Sequence, residues 1–219
     1  KNLEEIAKVA KKYKLIILSD EIYSHLTFNE KYKSISNYYP EGTIVSTGLS
    51  KWCGAGGWRL GFFAIPNSLR ELKDSLKTLC SESFTSVSAP IQHAAIEAYN
   101  GDYSSYLDSV KKILSFTGSY VYDNLKSNLI NVKKPEGGFY LFPEFTNAKF
   151  HSSSEMCEDI LNKTGVALLP GSDFGLNRKK MIARLSYTDF DGAKFIQNTL
   201  GSRNLDDGDL KKNAPNIVD

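Results

Sequence analysis

Ser50 and Lys51 set a hydroxyl beside an amine at the head of the run SKWCGAGGWRLG. Four small residues follow, Gly54 to Gly57, and then Trp58 and Arg59. An amine fixed at the end of a buried strand sheds its proton more readily than a solvated one, and it can attack a carbonyl to form a Schiff base. Glycines allow turns and close approaches that side chains block. An arginine such as Arg59 offers a planar cation suited to phosphate. Together these residue types call for a phosphorylated aldehyde. Singly, each has a plainer reading, because lysines are commonly solvated and glycine runs are commonly turns.

A second group stands upstream. Asp20 and Tyr23 lie in DEIY, directly after the apolar run KLIILS. Ligands of open α/β sheets bind outside the carboxyl ends of the strands. If the strand before Asp20 neighbours the strand before Lys51, then Asp20, Tyr23, Lys51 and Arg59 converge at one sheet edge. A carboxylate there can keep a pyridine nitrogen protonated, which makes the ring an electron sink. A phenol can hydrogen-bond a ring oxygen, the lysine can form the imine, and Ser50 with Arg59 can hold a phosphate. The cofactor this set suits is pyridoxal 5'-phosphate. The plain alternatives, Asp20 as a cap and Tyr23 as a half-buried aromatic, account for each residue separately but not for their joint occurrence.

The elements that must position these residues follow from periodicity. Leu3, Ile6, Ala7, Ala10 and Tyr13 recur at helical spacing. Lys14 to Ser19 has the continuous apolar pattern of a parallel strand covered on both faces. Strands are expected at Thr43 to Ser46 and Leu60 to Ile65, stopped by Pro66 and Asn67. Helices are expected over 68–81 and 89–99, the latter tolerating Pro90 in its first turn. A long periodic segment, 103–129, crosses between two domains. Beyond it the pattern is α+β. Short strands are expected near 130–133, 138–142, 166–169 and 181–186, with helices near 154–163 and 190–200. The fold class is therefore α/β: residues 1–100 form part of a large parallel or mixed-sheet domain, and residues 101–219 a smaller α+β domain. The chain is expected to close at the start of a truncated helix, with Pro215, Ile217 and Val218 leading into nothing. It reads as the C-terminal portion of a longer protein.

Composition bounds the function. The chain has 219 residues, 27 Lys+Arg against 25 Asp+Glu, and 41% hydrophobic residues. That balance gives no basic patch for nucleic acid and suits an ordinary globular protein. No apolar run approaches a membrane span, and KNLEEIAKVAKKY has no signal-peptide core. Cys53, Cys80 and Cys157 are odd in number and show no CxxC, which points to a reducing compartment, hence the cytoplasm. His25, His93 and His151 lack metal-ligand spacing.

The segments DEIY, SKWCGAGGWRLG, PEGGFYLFP, PGSDFG and RLSYTDFDG resemble the class I/II aminotransferases, pyridoxal-phosphate enzymes of the aspartate-aminotransferase fold. The resemblance runs in family order from the first residues to near Gly192. It implies that Lys51 is the Schiff-base lysine and the base that moves a proton between the substrate α-carbon and the cofactor C4′ carbon. It implies that Asp20 pairs with the pyridine nitrogen and Tyr23 with the ring 3′ oxygen, that Ser50 and Arg59 bind the phosphate, and that Arg184 pairs with the amino-acid α-carboxylate. Residues 137–142 and 170–175 would line the site, and Trp58 would be packing.

Two departures accompany the resemblance. Gly48 stands where many members carry a second phosphate-binding hydroxyl, leaving that bond absent or supplied by Thr47 or Ser46. The family's glycine-rich phosphate turn, stacking aromatic, ring-oxygen asparagine and dimer-partner tyrosine all precede the first residue here. The implied activity is transfer of an amino group from an α-amino acid to a 2-oxo acid in a full-length homodimer. Other readings are β-elimination or decarboxylation on the same fold, a non-catalytic ligand-sensing module, or a fragment that binds nothing. Aspartate, alanine and aromatic amino acids stay open as substrates, since Arg70, Arg178 and Arg203 have no assignable role.

Overall fold

The computed structural model describes residues 2–28, 31–201 and 204–218. The chain divides into two compact units, Lys1–Ser104 and Ser105–Asp219.

The first unit opens with helix α1 (Asn2–Lys12), which carries Glu4 and Glu5 in its first turn and Lys11 and Lys12 in its last. Both placements oppose the helix dipole favourably. Its small residues Ala7 and Ala10 are buried with Ile35 and Tyr39, and Ile17 packs against them. Ile17 begins strand β1 (Ile17–Asp20), which pairs in parallel with β2 (Thr43–Gly48). Strand β3 (Gly61–Ala64) adds antiparallel to β2, giving the order β1-β2-β3. Parallel pairing of the KLIILS strand agrees with its sequence. Coverage on both faces does not. Side chains alternate along a strand, α1 covers the Ile17 side, and Leu18 on the other side is 65% exposed. Helices α2 (Arg70–Ser83) and α3 (Ala89–Asn100) complete the unit, with Pro90 in the first turn of α3.

The second unit opens with α4 (Ser104–Leu125), shorter than the expected 103–129. Strand β4 (Ile130–Asn131) pairs with β6 (Glu144–Phe145), a strand the sequence pattern did not reveal. A second sheet has the order β5-β8-β7, from Tyr140–Leu141, Ala183–Ser186 and Leu169–Pro170, all antiparallel. Helix α5 (Ser153–Thr164) starts on Ser152, whose hydroxyl accepts from the Glu155 N–H, and stops at Gly165 with φ +76°. Such a cap and such a glycine are the ordinary ends of a helix. Met156 and Cys157 of α5 are buried against Met181 and Ala183.

At the C-terminal end, Ile217 and Val218 do not lead into nothing as expected. After α6 (Gly192–Asn198) the chain forms α7 (Asp207–Asn213), closed at its start by reciprocal bonds between Asp206 and Asp209. A short α8 (Pro215–Val218) follows. Ile217 and Val218 pack against the buried group Ile113, Phe195, Leu210 and Ala214, so they lead into a core.

Candidate functional site

Asp20 is the last residue of β1 and lies in register with Ser46 of β2. Its carboxylate oxygen Oδ1 accepts from the Ile22 N–H at 3.2 Å, turning the chain off the sheet. The Glu21 N–H donates to the Ser46 carbonyl at 2.8 Å, which ties the turn to β2. Tyr23 then enters a 3-10 turn, Ser24–Leu26, pinned by the buried Leu26.

The Lys51 loop leaves β2 at the same end. It is fastened by three buried side chains, Leu49, Trp52 and Ala55. The Ala55 N–H donates to the Leu49 carbonyl at 3.2 Å. Trp52 has three ring neighbours, His25 at 5.1 Å, Tyr99 at 5.9 Å and Tyr103 at 6.2 Å. Burial raises the pKa of the Tyr99 phenol. With Trp52 fixed, half-buried Lys51 reaches back, and its Nζ stands 5.8 Å from the centroid of the Tyr23 ring. Parallel β1 and β2 thus bring Tyr23 and Lys51 together past the strand ends, with Asp20 as the last residue of β1.

The loop returns through a 3-10 turn, Gly56–Trp58, to Arg59. Arg59 has φ +56° and ψ +43°, a left-handed conformation unusual for a residue with a Cβ. Its Nη1 donates to the Gly56 carbonyl at 2.8 Å. Gly48 pairs with Gly61 across β2 and β3, so Ser50 and Arg59 each stand two residues from that pair, on the two sides of the loop mouth. A Cβ on Gly48 would meet the Leu60 carbonyl oxygen at 2.7 Å and the Gly61 Cα at 3.1 Å. Glycine there is a condition of the pairing. Around Gly54 and Gly57, by contrast, nothing lies within 4 Å of an added Cβ, so the loop's outer surface is open. Trp58 is half exposed rather than packed; Trp52 is the packed tryptophan of this loop.

Glu21, beside Asp20, is only 7% exposed. It accepts from the Ser34 hydroxyl at 2.6 Å and the Ser19 hydroxyl at 3.1 Å. Burial, then the nearby Glu21 and Asp20, push the Tyr32 phenol up to about 12. The second acid of DEIY was the only sequence signal for this buried group.

Arg184 belongs to the second unit, in the middle strand of the β5-β8-β7 sheet. Its guanidinium carbon lies 4.3 Å from the centroid of the Tyr140 ring and 4.8 Å from that of Phe174. Both aromatics fall in the two segments expected to line a site, but their contact with Arg184 depends on strand register. A cleft of about 490 Å³ lies in the same unit, lined by Lys133, Lys134, Tyr140, Phe142 and Leu176 among others. Among the described residues no group of three or more His, Cys, Asp and Glu side chains could hold a metal ion. Arg203 lies outside the described residues.

The first unit therefore presents one amine, one carboxylate, one phenol, one hydroxyl and one guanidinium at the carboxyl end of a parallel strand pair, around an open glycine loop. That donor set fits a phosphorylated pyridine aldehyde: the guanidinium and hydroxyl suit its phosphate, the carboxylate its ring nitrogen, the amine its carbonyl.

Fold and donor set define an α/β unit of the aspartate-aminotransferase type. Solved structures agree. The alanine aminotransferase from Pyrococcus furiosus matches with a TM-score of 0.74 at 32% identity, over 85% of this chain and 48% of that one. The aromatic aminotransferase from Pyrococcus horikoshii OT3 matches with a TM-score of 0.75 at 31% identity, over 84% of this chain and 49% of that one. The family profile for aminotransferase class I and II covers residues 1–193, and the chain belongs to that pyridoxal-phosphate-dependent family. Among curated relatives, the probable N-acetyl-LL-diaminopimelate aminotransferase of Bacillus subtilis (strain 168) is 37% identical over 178 residues, 78% of this chain and 42% of its own length. The aspartate aminotransferase of Bacillus sp. (strain YM-2) is 35% identical over 182 residues, 79% of this chain and 45% of its own length. The chain thus spans about half the length of the curated relatives it matches.

Proposed function

We propose that this chain supplies the lysine-bearing part of an aminotransferase that moves an amino group from an α-amino acid to a 2-oxo acid. The observation that carries the reading is the approach of Lys51 Nζ to the Tyr23 ring at 5.8 Å, with Tyr23 three residues after Asp20 closes β1. Bound pyridoxal phosphate supplies the electron sink for the bond broken at the α-carbon. Lys51 would hold the cofactor by its amine and, once the substrate amine has displaced it, would move a proton between the α-carbon and C4′. Asp20 keeps the proton on the pyridine nitrogen, and Tyr23 hydrogen-bonds the 3′ oxygen. Ser50 and Arg59 bind the phosphate. Arg184 takes the α-carboxylate as a bidentate pair. The relatives' printed names span N-acetyl-LL-diaminopimelate, aspartate, alanine and aromatic substrates, so the reading stops at the class of α-amino acids. We assign the whole protein to the cytoplasm and to amino-acid biosynthesis, as a homodimer. The domain division proposed with it is a large cofactor-binding domain up to about residue 100 and a small domain after it, in accord with the two compact units.

The test is chemical. The protein is mixed with pyridoxal phosphate, reduced with borohydride, digested and mapped by mass. A single phosphopyridoxyl group on Lys51, absent from Lys51→Ala, is the expected result. Labels scattered over other lysines, or an unlabelled Lys51 in a protein that turns over amino acids, would refute the assignment.

A further inference from the structure

Arg184 sits in β8 opposite Leu169 of β7, two residues before Ser186, which pairs with Tyr140 of β5. Residues directly opposite in antiparallel strands share a face, as do residues two apart along one strand. Tyr140 and Arg184 therefore lie on the same face of the sheet. Phe174 reaches Arg184 from the 3-10 turn Gly171–Phe174, which follows β7. One ring thus comes from a strand that flanks β8, and the other from the turn that follows the opposite flanking strand. Phe142 in turn packs edge-on against Phe174, with centroids 5.3 Å apart and planes at 80°.

A guanidinium within about 6 Å of a ring centroid is attracted by the ring's quadrupole. Aromatic contact occupies the flat surface of the cation and leaves its in-plane N–H groups at the rim. That rim is the part a carboxylate grips with two parallel hydrogen bonds. A long arginine side chain also loses rotamer freedom when it binds, and rings that already hold it reduce that loss.

We infer that Tyr140 and Phe174 are positioning residues for Arg184. Their rings fix the guanidinium so that it meets the α-carboxylate of the amino acid and of the 2-oxo acid, and Phe142 braces Phe174. This rests on the carboxylate-binding role proposed for Arg184.

The test uses the whole protein and compares ring-removing variants, Phe174→Leu and Tyr140→Leu, with ring-keeping ones, Phe174→Tyr and Tyr140→Phe. Phe174 is 41% exposed, so leucine there removes little core. Each leucine variant should raise KM for both substrates roughly five- to tenfold, the range an aromatic–cation contact supports. Turnover at saturation should stay within about twofold, since the lost contact serves binding. The ring-keeping variants should restore KM. A second probe is the amine that lacks the carboxylate of the preferred amino acid. In a single-turnover reaction the leucine variants should convert it as fast as the wild type. Arg184→Ala separates the two claims. If it leaves KM unchanged, the carboxylate role of Arg184 fails. If it raises KM while both leucine variants do not, the positioning role alone fails. Equal slowing of the amine and the amino acid, or no rescue by the ring-keeping variants, would reduce Tyr140 and Phe174 to packing and overturn the inference.

Discussion

Gly48→Ser puts a hydroxyl where many relatives of this family carry one, and from the sequence alone it looks like a repair of the phosphate site. The structure predicts damage. A Cβ at Gly48 would stand 2.7 Å from the Leu60 carbonyl oxygen and 3.1 Å from the Gly61 Cα, both backbone atoms of the neighbouring strand segment. No rotamer relieves a backbone clash, so β3 and the loop carrying Arg59 must move by several tenths of an ångström. Forcing atoms into a packed site costs about 1–3 kcal/mol, and a rigid obstacle puts Gly48 toward the top of that range. Removing a strand glycine returns about 0.5–1 kcal/mol of chain entropy. The net loss is about 2 kcal/mol, which for a chain of this length lowers Tm by about 4–8 °C. Thermal unfolding followed by circular dichroism reads that shift, and titration with pyridoxal phosphate reads the site. Gly57→Ser is the control, because nothing lies within 4 Å of an added Cβ there. Its Tm should match the wild type. A G48S protein that melts within about 1 °C of wild type and binds pyridoxal phosphate more tightly would refute the argument.

Two further outcomes follow from the packing. Tyr32 keeps its proton up to about 12 in the folded chain, against about 10 for an exposed tyrosine. Between those values the unfolded chain has released a proton that the folded chain still holds, so stability is full below about pH 10 and declines toward pH 12. Tyr32→Phe should flatten that part of a denaturation-against-pH curve, and an unchanged slope would count against the burial of the phenol. In α4, a Cβ on Gly118 would stand 2.8 Å from Cζ of the fully buried Tyr187 and 2.9 Å from Pro135 Cγ. Gly118→Ala should therefore lose about 1–2 kcal/mol despite its better helix propensity; a denaturant midpoint at or above that of the wild type would show that the Tyr187 ring yields.

What was legible in the sequence is what chemistry or short range dictates. KLIILS before DEIY and TIVS before GLSK announce two strands ending in reactive side chains, and their parallel pairing brings Asp20 level with Ser46. Helices such as α3 and α5 follow from periodicity, with a proline tolerated in the first turn of α3. Contacts between distant segments were not legible. The requirement for Gly48 depends on its partner Gly61, and that pairing is fixed only by β2–β3 register. β6 escaped notice because two residues, Glu144 and Phe145, are too few for an alternating pattern. α7 begins in the polar run DDGDLKKN, whose helical signal is the Asp206–Asp209 cap rather than apolar spacing.

The two acids of DEIY show how the structure divides roles that composition leaves equal. Side chains alternate along β1, so Leu18 and Asp20 share one side and Ser19 faces the other, where its hydroxyl meets Glu21 just after the strand. Glu21 turns inward, where a carboxylate is costly unless hydrogen bonds satisfy it. The Ser19 and Ser34 hydroxyls supply those bonds, and Glu21 thereby ties the chain after β1 to the segment that leads toward β2. Asp20, one residue earlier, points to the other side at the end of the strand, with Oδ1 on the Ile22 N–H. Exchanging the two residues would leave the sides as they are and put the shorter aspartate in the buried position, one methylene short of both serines. The order Asp-Glu therefore matters through side-chain length at the buried position, and it leaves Asp20 exposed at the end of β1.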